Sequence, residues 1–239
     1  MLLMNIRIVL VNPSHPGNIG AVARAMKTMG LENLYLVKPK IFPHVDATAR
    51  ATGADDILAK AIITASLSEA LIGSKLVFGT SVRFRTLSLP KLELKAAAKI
   101  IQQEATNHLV TIIFGRENNG LTNAELELCN YQLYISTNPN FCSLNLAAAV
   151  QLVAYEINRT KPNNILPTTA AELATNEQLQ ALYQHLQHIL VNSGFLTIKH
   201  PRKVLAKLKL LFNRAQLEEN EVQILRGILT AIQTKITHE

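Results

Sequence analysis

Only two cysteines, Cys129 and Cys142, occur in the 239 residues. That scarcity excludes a disulfide framework and a thiolate zinc cage, and it fits a reducing, cytoplasmic setting. No apolar run approaches the roughly 18 residues a membrane span needs. The opening "MLLMNIRIVLVNPSHPG" is apolar but has no basic n-region and no small-residue cleavage site, so it reads as a first strand and not a signal peptide. G-x-G-x-x-G and the P-loop lysine are both missing, which argues against a dinucleotide fold and a Walker-type NTPase. Internal repeats and low-complexity stretches are absent too. Charged residues are sparse, 17% against 48% hydrophobic. A chain of this length buries roughly 70% of the surface its unfolded form exposes, so extensive disorder is excluded.

The charge that is present is lopsided. A net +7 and a pI near 9.5 favour a polyanionic partner. Along the first two-thirds, short apolar runs alternate with helical patterns. "IRIVLV" (6–11), "LYLV" (34–37), "KLVFG" (75–79), "HLVTIIF" (108–114) and "YQLYIS" (131–136) read as strands, with "AII" (61–63) a weaker candidate. Continuously apolar strands between helices predict a mostly parallel sheet with helices on both faces. The helix "LNLAAAVQLVAYEINR" is apolar nearly all round and is expected to be well buried.

After Arg159 the pattern changes. Residues 160–171 read as a linker between a domain at 1–159 and a small all-helical domain at 172–239. There, Leu179, Leu182, Tyr183, Leu186, Ile189 and Leu190 mark one apolar helix face, and Val222, Leu225, Ile228, Leu229 and Ile232 another. Between them lie Lys199, Arg202, Lys203, Lys207, Lys209 and Arg214, with no acid from 195 to 217. This is either a solvated helix face or a phosphate-contacting patch.

Ligands of open parallel sheets bind beyond the strands' carboxyl ends, so the residues there come first. After the first strand, "NPSHPGNIGAVARAMKTMG" places Asn18 at a plausible helix N-cap, with Arg24 on the same helix. Arg24 reads either as a solvent-exposed helix residue or as a functional cation. After the fourth firm strand comes "GRENNGL", where Arg116 and Glu117 sit between Gly115 and Gly120. A cap by Glu117 or Asn123 for a helix at 122–129 is the plainer explanation. After the fifth strand, "TNPNFCSLNLAAAV" carries Ser143 and Asn145. A capping Ser143 leaves Asn145 unexplained inside the start of an apolar helix, which predicts a polar partner for it. "GTSVRFRTL" (79–87) adds Arg83 and Arg85.

Together the segments "NPSHPGNIG", "FGRENNGL" and "NPNFCSLNLAAAVQLVAYE" resemble the three motifs of the SPOUT superfamily of RNA methyltransferases, and within it the branch acting on ribose 2′-oxygens of tRNA. The likeness runs from about residue 4 to 159 and continues more weakly in "HPRKVLAKLKLLFNRAQLEENEVQILRGIL". It implies a C-terminal trefoil knot in the first domain, an exception to the usual connection rules. It also implies S-adenosylmethionine as methyl donor, held by Thr80, Ser81 and Val82, by Gly115, and by Ile135 with Cys142, Ser143 and Leu144. Cys142 stands where relatives often carry a small hydroxyl residue, and beside Phe141 it is expected to be buried.

The same resemblance implies a homodimer with the site shared between subunits, tRNA as partner and no metal. Its expected target is cytidine or uridine at position 32 of the anticodon loop. Arg24, Asn18, Glu117, Ser143 and Asn145 are the implied catalytic set. A guanidinium stays protonated in proteins, so Arg24 is better read as a fork on a tRNA phosphate than as a base. Arg24, Arg83, Arg85, Arg116, Lys199, Arg202, Lys203 and Lys207 are the expected RNA contacts. The competing readings are a related enzyme acting on ribosomal RNA or another tRNA position, and a non-catalytic RNA-binding module.

Overall fold

The computed structural model describes residues 2–82, 89–160, 173–196 and 201–237. Its centre is set by runs that are apolar on both faces and therefore cannot lie at an edge. β1 (Ile6–Val11) and β6 (Val110–Phe114) have every residue buried and pair directly, Ile8 opposite Ile112 and Leu10 opposite Phe114. β2 (Asn33–Val37), β3 (Ile62–Thr64), β4 (Leu76–Thr80), β5 (Lys91–Glu93) and β7 (Tyr131–Tyr134) complete a seven-stranded sheet, with order β3-β2-β1-β6-β4-β7-β5 and every pairing parallel. Ile8, Leu10, Phe78 and Phe114 are among its fully buried side chains. Each such burial contributes roughly 1.5–3 kcal/mol.

The faces are covered by α1 (Pro16–Thr28), α2 (Val45–Ala51), α3 (Asp55–Ala59), α4 (Leu67–Ala70), α5 (Leu94–Glu104), α6 (Asn123–Leu126) and α7 (Leu146–Arg159). α1 and α2 pack with almost no side chain between them. A Cβ placed on Gly20 would stand 2.0 Å from the Ala47 carbonyl oxygen, so only glycine permits this approach.

Several elements differ from the sequence reading, each for a local reason. β5 was not foreseen, because Lys91 and Glu93 make it too polar to stand out; it is a three-residue edge strand. β3 is the opposite edge, and Ile62 and Ile63 are about half exposed there. β7 ends at Tyr134, which leaves Ile135 outside the ladder and free to line a cleft. α7 buries one face only: Val150, Val153, Ala154 and Ile157 are covered, whereas Leu152 and Tyr155 are exposed. The expectation of burial all round is corrected accordingly.

The chain divides into two compact units, Met1–Leu166 and Pro167–Glu239. The second holds α8 (Asn176–Asn192), α9 (Pro201–Ala215) and α10 (Glu219–Thr237). Its core joins Leu179, Leu182, Tyr183 and Ile189 of α8 to Val222 and Leu229 of α10. Ile228 and Ile232, expected on that inner face, are instead 52% and 40% exposed. They flank the stripe of α10 on which Leu225 and Ile236 pack against that core.

Candidate active site

Leaving β1, the chain runs out to β2 and β3 on one side, and the later strands fill the other. Such a reversal opens a crevice at the carboxyl ends. A cleft of about 210 Å³ lies there, walled by the segments that follow β4, β6 and β7. Thr80, Ser81, Val82, Gly115, Ile135, Cys142, Ser143 and Leu144 all line it, as do Arg116 and Glu117. Three stretches far apart in sequence are thus brought to one wall. Most of that wall is apolar or backbone, with Phe114, Leu133, Leu146 and Ala149 among its members.

Glu117 is the hub of its polar side. Its carboxylate accepts from the Ser14 backbone N–H (3.1 Å), the Ser14 hydroxyl (2.9 Å), the His15 N–H (3.3 Å) and the Asn18 amide (3.0 Å). Partial burial works against its charge. Bonds from Asn18 and Ser14 outweigh that and hold the carboxyl below its ordinary value. A carboxylate so fully engaged is a brace and a poor proton acceptor.

From Asn18 the network passes to the third segment. The Asn145 amide donates to Asn18 Oδ1 at 3.1 Å, while Asn145 Oδ1 accepts from the Ala147 N–H at 2.9 Å. Asn145 is therefore the N-cap of α7, one of the favoured residues for it. Ser143 is not the cap; it lies two residues before Asn145, with its side chain exposed at the cleft. Asn18 is likewise not a cap. α1 starts at Pro16 and is capped by the His15 ring, which accepts from the Gly17 N–H at 3.1 Å. Asn18 falls in the first turn, where its amide is free to bridge Glu117 and Asn145.

The β6 loop is folded back on itself. A Cβ on Gly115 would lie 2.1 Å from the Gly120 carbonyl carbon, so the doubling requires glycine at 115. Arg116 locks it from outside, donating to Glu125 at 2.9 and 3.0 Å and to Asn12 Oδ1 at 2.6 Å. The guanidinium expected to reach RNA is thus engaged within the protein. Neither Glu117 nor Asn123 caps α6; Thr122 does, in a capping box with Glu125. Burial opposes the charge of Glu125, and the Arg116 bond overrides it, leaving that carboxyl lowered as well.

Arg24 is exposed on α1 and, among the described residues, its guanidinium has no acidic partner. Cys142 is exposed and Phe141 is 78% exposed, which corrects the expected burial. The loop from 135 to 145 carries no ladder bonds and lays both side chains outward. Lys207 is exposed on α9. Arg83, Arg85 and Lys199 lie outside the described residues, as do the side chains of Arg202 and Lys203. Sequence reasoning missed Asn12, Ser14 and Glu125, whose roles depend on partners on other loops. Among the described residues, no group of His, Cys, Asp and Glu is arranged to hold a metal. No helix there is long and apolar enough to cross a membrane.

A parallel sheet with its cleft walled by these loops is the architecture of an RNA methylase domain, and the comparisons agree. The chain belongs to the SpoU rRNA methylase family, whose model matches residues 5–155, taking in every loop of the cleft. Residues 177–239 match a second family, the C-terminal domain of the tRNA methyltransferase TrmJ. The chain is 48% identical over 240 residues to the tRNA (cytidine/uridine-2′-O-)-methyltransferase TrmJ of Yersinia pestis (strain Pestoides F), covering 97% of this chain and 93% of that one. It is also similar to the crystal structure of TrmJ from Z. mobilis ZM4, with a TM-score of 0.87 and 33% identity, covering 95% of this chain and 98% of that one. A more distant likeness, in fold alone, is to the SpoU methyltransferase AviRb from Streptomyces viridochromogenes in complex with AdoMet. There the TM-score is 0.50 at 21% identity, covering 64% of this chain and 58% of that one.

Proposed function

We propose that the protein transfers a methyl group from S-adenosylmethionine to the ribose 2′-oxygen of the cytidine or uridine at position 32 of the tRNA anticodon loop. The observation that carries this reading is the Glu117–Asn18–Asn145 chain, which ties three loops around one cleft. The match of the second unit to a tRNA methyltransferase domain favours tRNA over ribosomal RNA.

The cleft suits that donor. Its apolar wall accepts a flat ring, and the doubled-back loop at Gly115 lets a ligand meet backbone. The carboxylate at its rim suits a cationic group and not a phosphate chain. Thr80, Ser81 and Val82, Gly115, Ile135, and Cys142 with Ser143 and Leu144 would hold it. When bound, S-adenosylmethionine supplies a methyl group already attached to a good leaving group.

The protein's own task is then placement. Glu117, saturated by donors, fixes the loop after β1 and the first turn of α1. Asn18 and Asn145 carry that rigidity to the start of α7. The Ser143 hydroxyl, with no hydrogen bond among the described residues, is available to the incoming ribose. Arg24 would grip a phosphate and set the 2′-hydroxyl in line; as that oxygen takes the methyl group, the methyl's bond to the donor's sulfur would break and the hydroxyl proton would pass to water. Orientation of this kind supplies up to roughly 7–11 kcal/mol of a barrier.

The exposed stripe of Ala148, Leu152 and Tyr155 on α7 supports a two-fold homodimer in which Arg24 serves the partner's cleft. The same reading carries the trefoil knot, a domain arrangement of 1–159 and 172–239 joined by a linker, and a cytoplasmic location. Arg83, Arg85, Lys199, Arg202, Lys203 and Lys207 complete the RNA contacts. The test is a tRNA transcript carrying a single 2′-deoxynucleotide at position 32. Loss of methyl acceptance with that transcript alone supports the assignment, and undiminished acceptance overturns it.

A further inference from the structure

Gln132 is a polar side chain with no place in an apolar sheet. It is 0% exposed, in the middle of β7, with Gly79 of β4 on one side and Lys91 of β5 on the other. Leaving a buried amide's donor unsatisfied is costly, and the Gln132 Nε2 is held by hydrogen bonding. One of its bonds leads to the cleft: Gln132 Nε2 donates to the Ser81 carbonyl oxygen at 3.2 Å. Ser81 is the first residue beyond β4, and its own N–H donates to the Leu133 carbonyl at 3.0 Å. Both polar groups of the Ser81 backbone are therefore drawn toward β7.

This has a consequence for the next amide. In a trans peptide the C=O and the following N–H point to opposite sides. With the Ser81 carbonyl held toward β7, the Val82 N–H is turned the other way, toward the end of β6. That end, Phe114 and Gly115, is the facing wall of the same cleft. The Val82 N–H has no hydrogen-bond partner among the described residues, although Val82 itself lines the cleft. That donor is left aimed at whatever fills the space.

Resting on the methyl-donor reading above, we infer that Gln132 is a positioning residue: it orients the Ser81–Val82 peptide so that the Val82 N–H donates to an acceptor atom of the bound nucleoside cofactor. Gln132 itself lies behind the wall and touches no ligand. Removing its donor leaves the cleft's shape intact but lets the peptide rotate, and the cofactor then loses a fixed partner. Binding of tRNA, which uses the outer cations, is untouched.

The test is calorimetric titration of S-adenosylhomocysteine into the full-length protein, alongside tRNA affinity and thermal melting. Gln132→Met keeps the length of the side chain and deletes the donor. Val82→Pro deletes the acceptor's partner directly at a surface position, and so remains informative if Gln132→Met fails to fold. Each variant is expected to bind S-adenosylhomocysteine about tenfold more weakly with tRNA affinity unchanged. The double variant is expected to lose about the same tenfold, because both changes break one contact. Binding within twofold of wild type in either single variant overturns the inference. A double variant that loses about a hundredfold also overturns it, since the two residues then act separately. Absence of binding by the wild-type protein is a different result: it removes the methyl-donor reading, and this inference falls with it.

Discussion

The Asn18 amide and the Glu117 carboxylate meet at 3.0 Å although 99 positions separate them in the chain. That contact joins the first turn of α1 to the loop after β6, and Asn145 extends it to the cap of α7. Neither residue of the pair acts on its own helix end. Both serve to hold separate loops at one distance across the cleft.

Glu117→Ala is expected to cost more than an ordinary surface change. Four donors lose their acceptor together, and partly buried donors left unpaired cost about 1–3 kcal/mol. Urea denaturation should register that loss, and methyl transfer should fall at least tenfold. Asn18→Ala should reproduce the fall in transfer with a smaller loss of stability, since only the bridging amide goes.

Stability should also depend on acid in a defined direction. Glu117 and Glu125 both titrate below the ordinary 4.5 in the folded chain. The folded state then binds fewer protons than the unfolded one around that pH. Their contribution is fully present above it and is lost as pH falls through the lowered folded values. Denaturation midpoints measured from pH 7 down to pH 3 should fall steeply at the acid end. Glu117→Gln should flatten that fall, and Glu117→Gln with Glu125→Gln should flatten it further.

Asn145 separates capping from bridging. Asn145→Ser keeps a capping oxygen but loses the amide that reaches Asn18. Thermal melting should stay within about 0.5 kcal/mol of wild type, whereas Asn145→Ala should cost about 1 kcal/mol. Methyl transfer should drop in both. Full activity in Asn145→Ser would show that the bridge to Asn18 has no part in the site.

These relations explain how much was legible beforehand. β1 and β6 could be read off because all but Arg7 and Thr111 in them are apolar, and the alternation with helices follows from the same burial. Asn145 announced a polar partner because it interrupts an apolar helix start, and Asn18 is that partner. The details of capping were hidden. His15 takes the role assigned to Asn18, and a histidine ring is not among the usual capping groups. Arg116 reads as a surface cation until Glu125 and Asn12 are seen beside it, and that proximity is a property of the fold. Gln132 gave no signal, because a glutamine in "YQLY" fits an alternating strand as well as a buried one.

The basic helix of the second unit gives a prediction about affinity alone. Replacing Lys203, Lys207 and Lys209 with Gln should weaken tRNA binding and flatten its dependence on log salt by about 2 to 3. Binding isotherms at several salt concentrations measure both. An unchanged slope identifies α9 as a solvated face.

The most direct test of the central claim follows methyl transfer from labelled S-adenosylmethionine to unmodified tRNA transcripts, with Arg24→Ala in parallel and the product mapped by mass spectrometry. The predicted result is a 2′-O-methyl group at position 32, on cytidine or uridine, that disappears in the variant while S-adenosylhomocysteine still binds. Transfer at another nucleotide, or transfer undiminished without Arg24, contradicts the account.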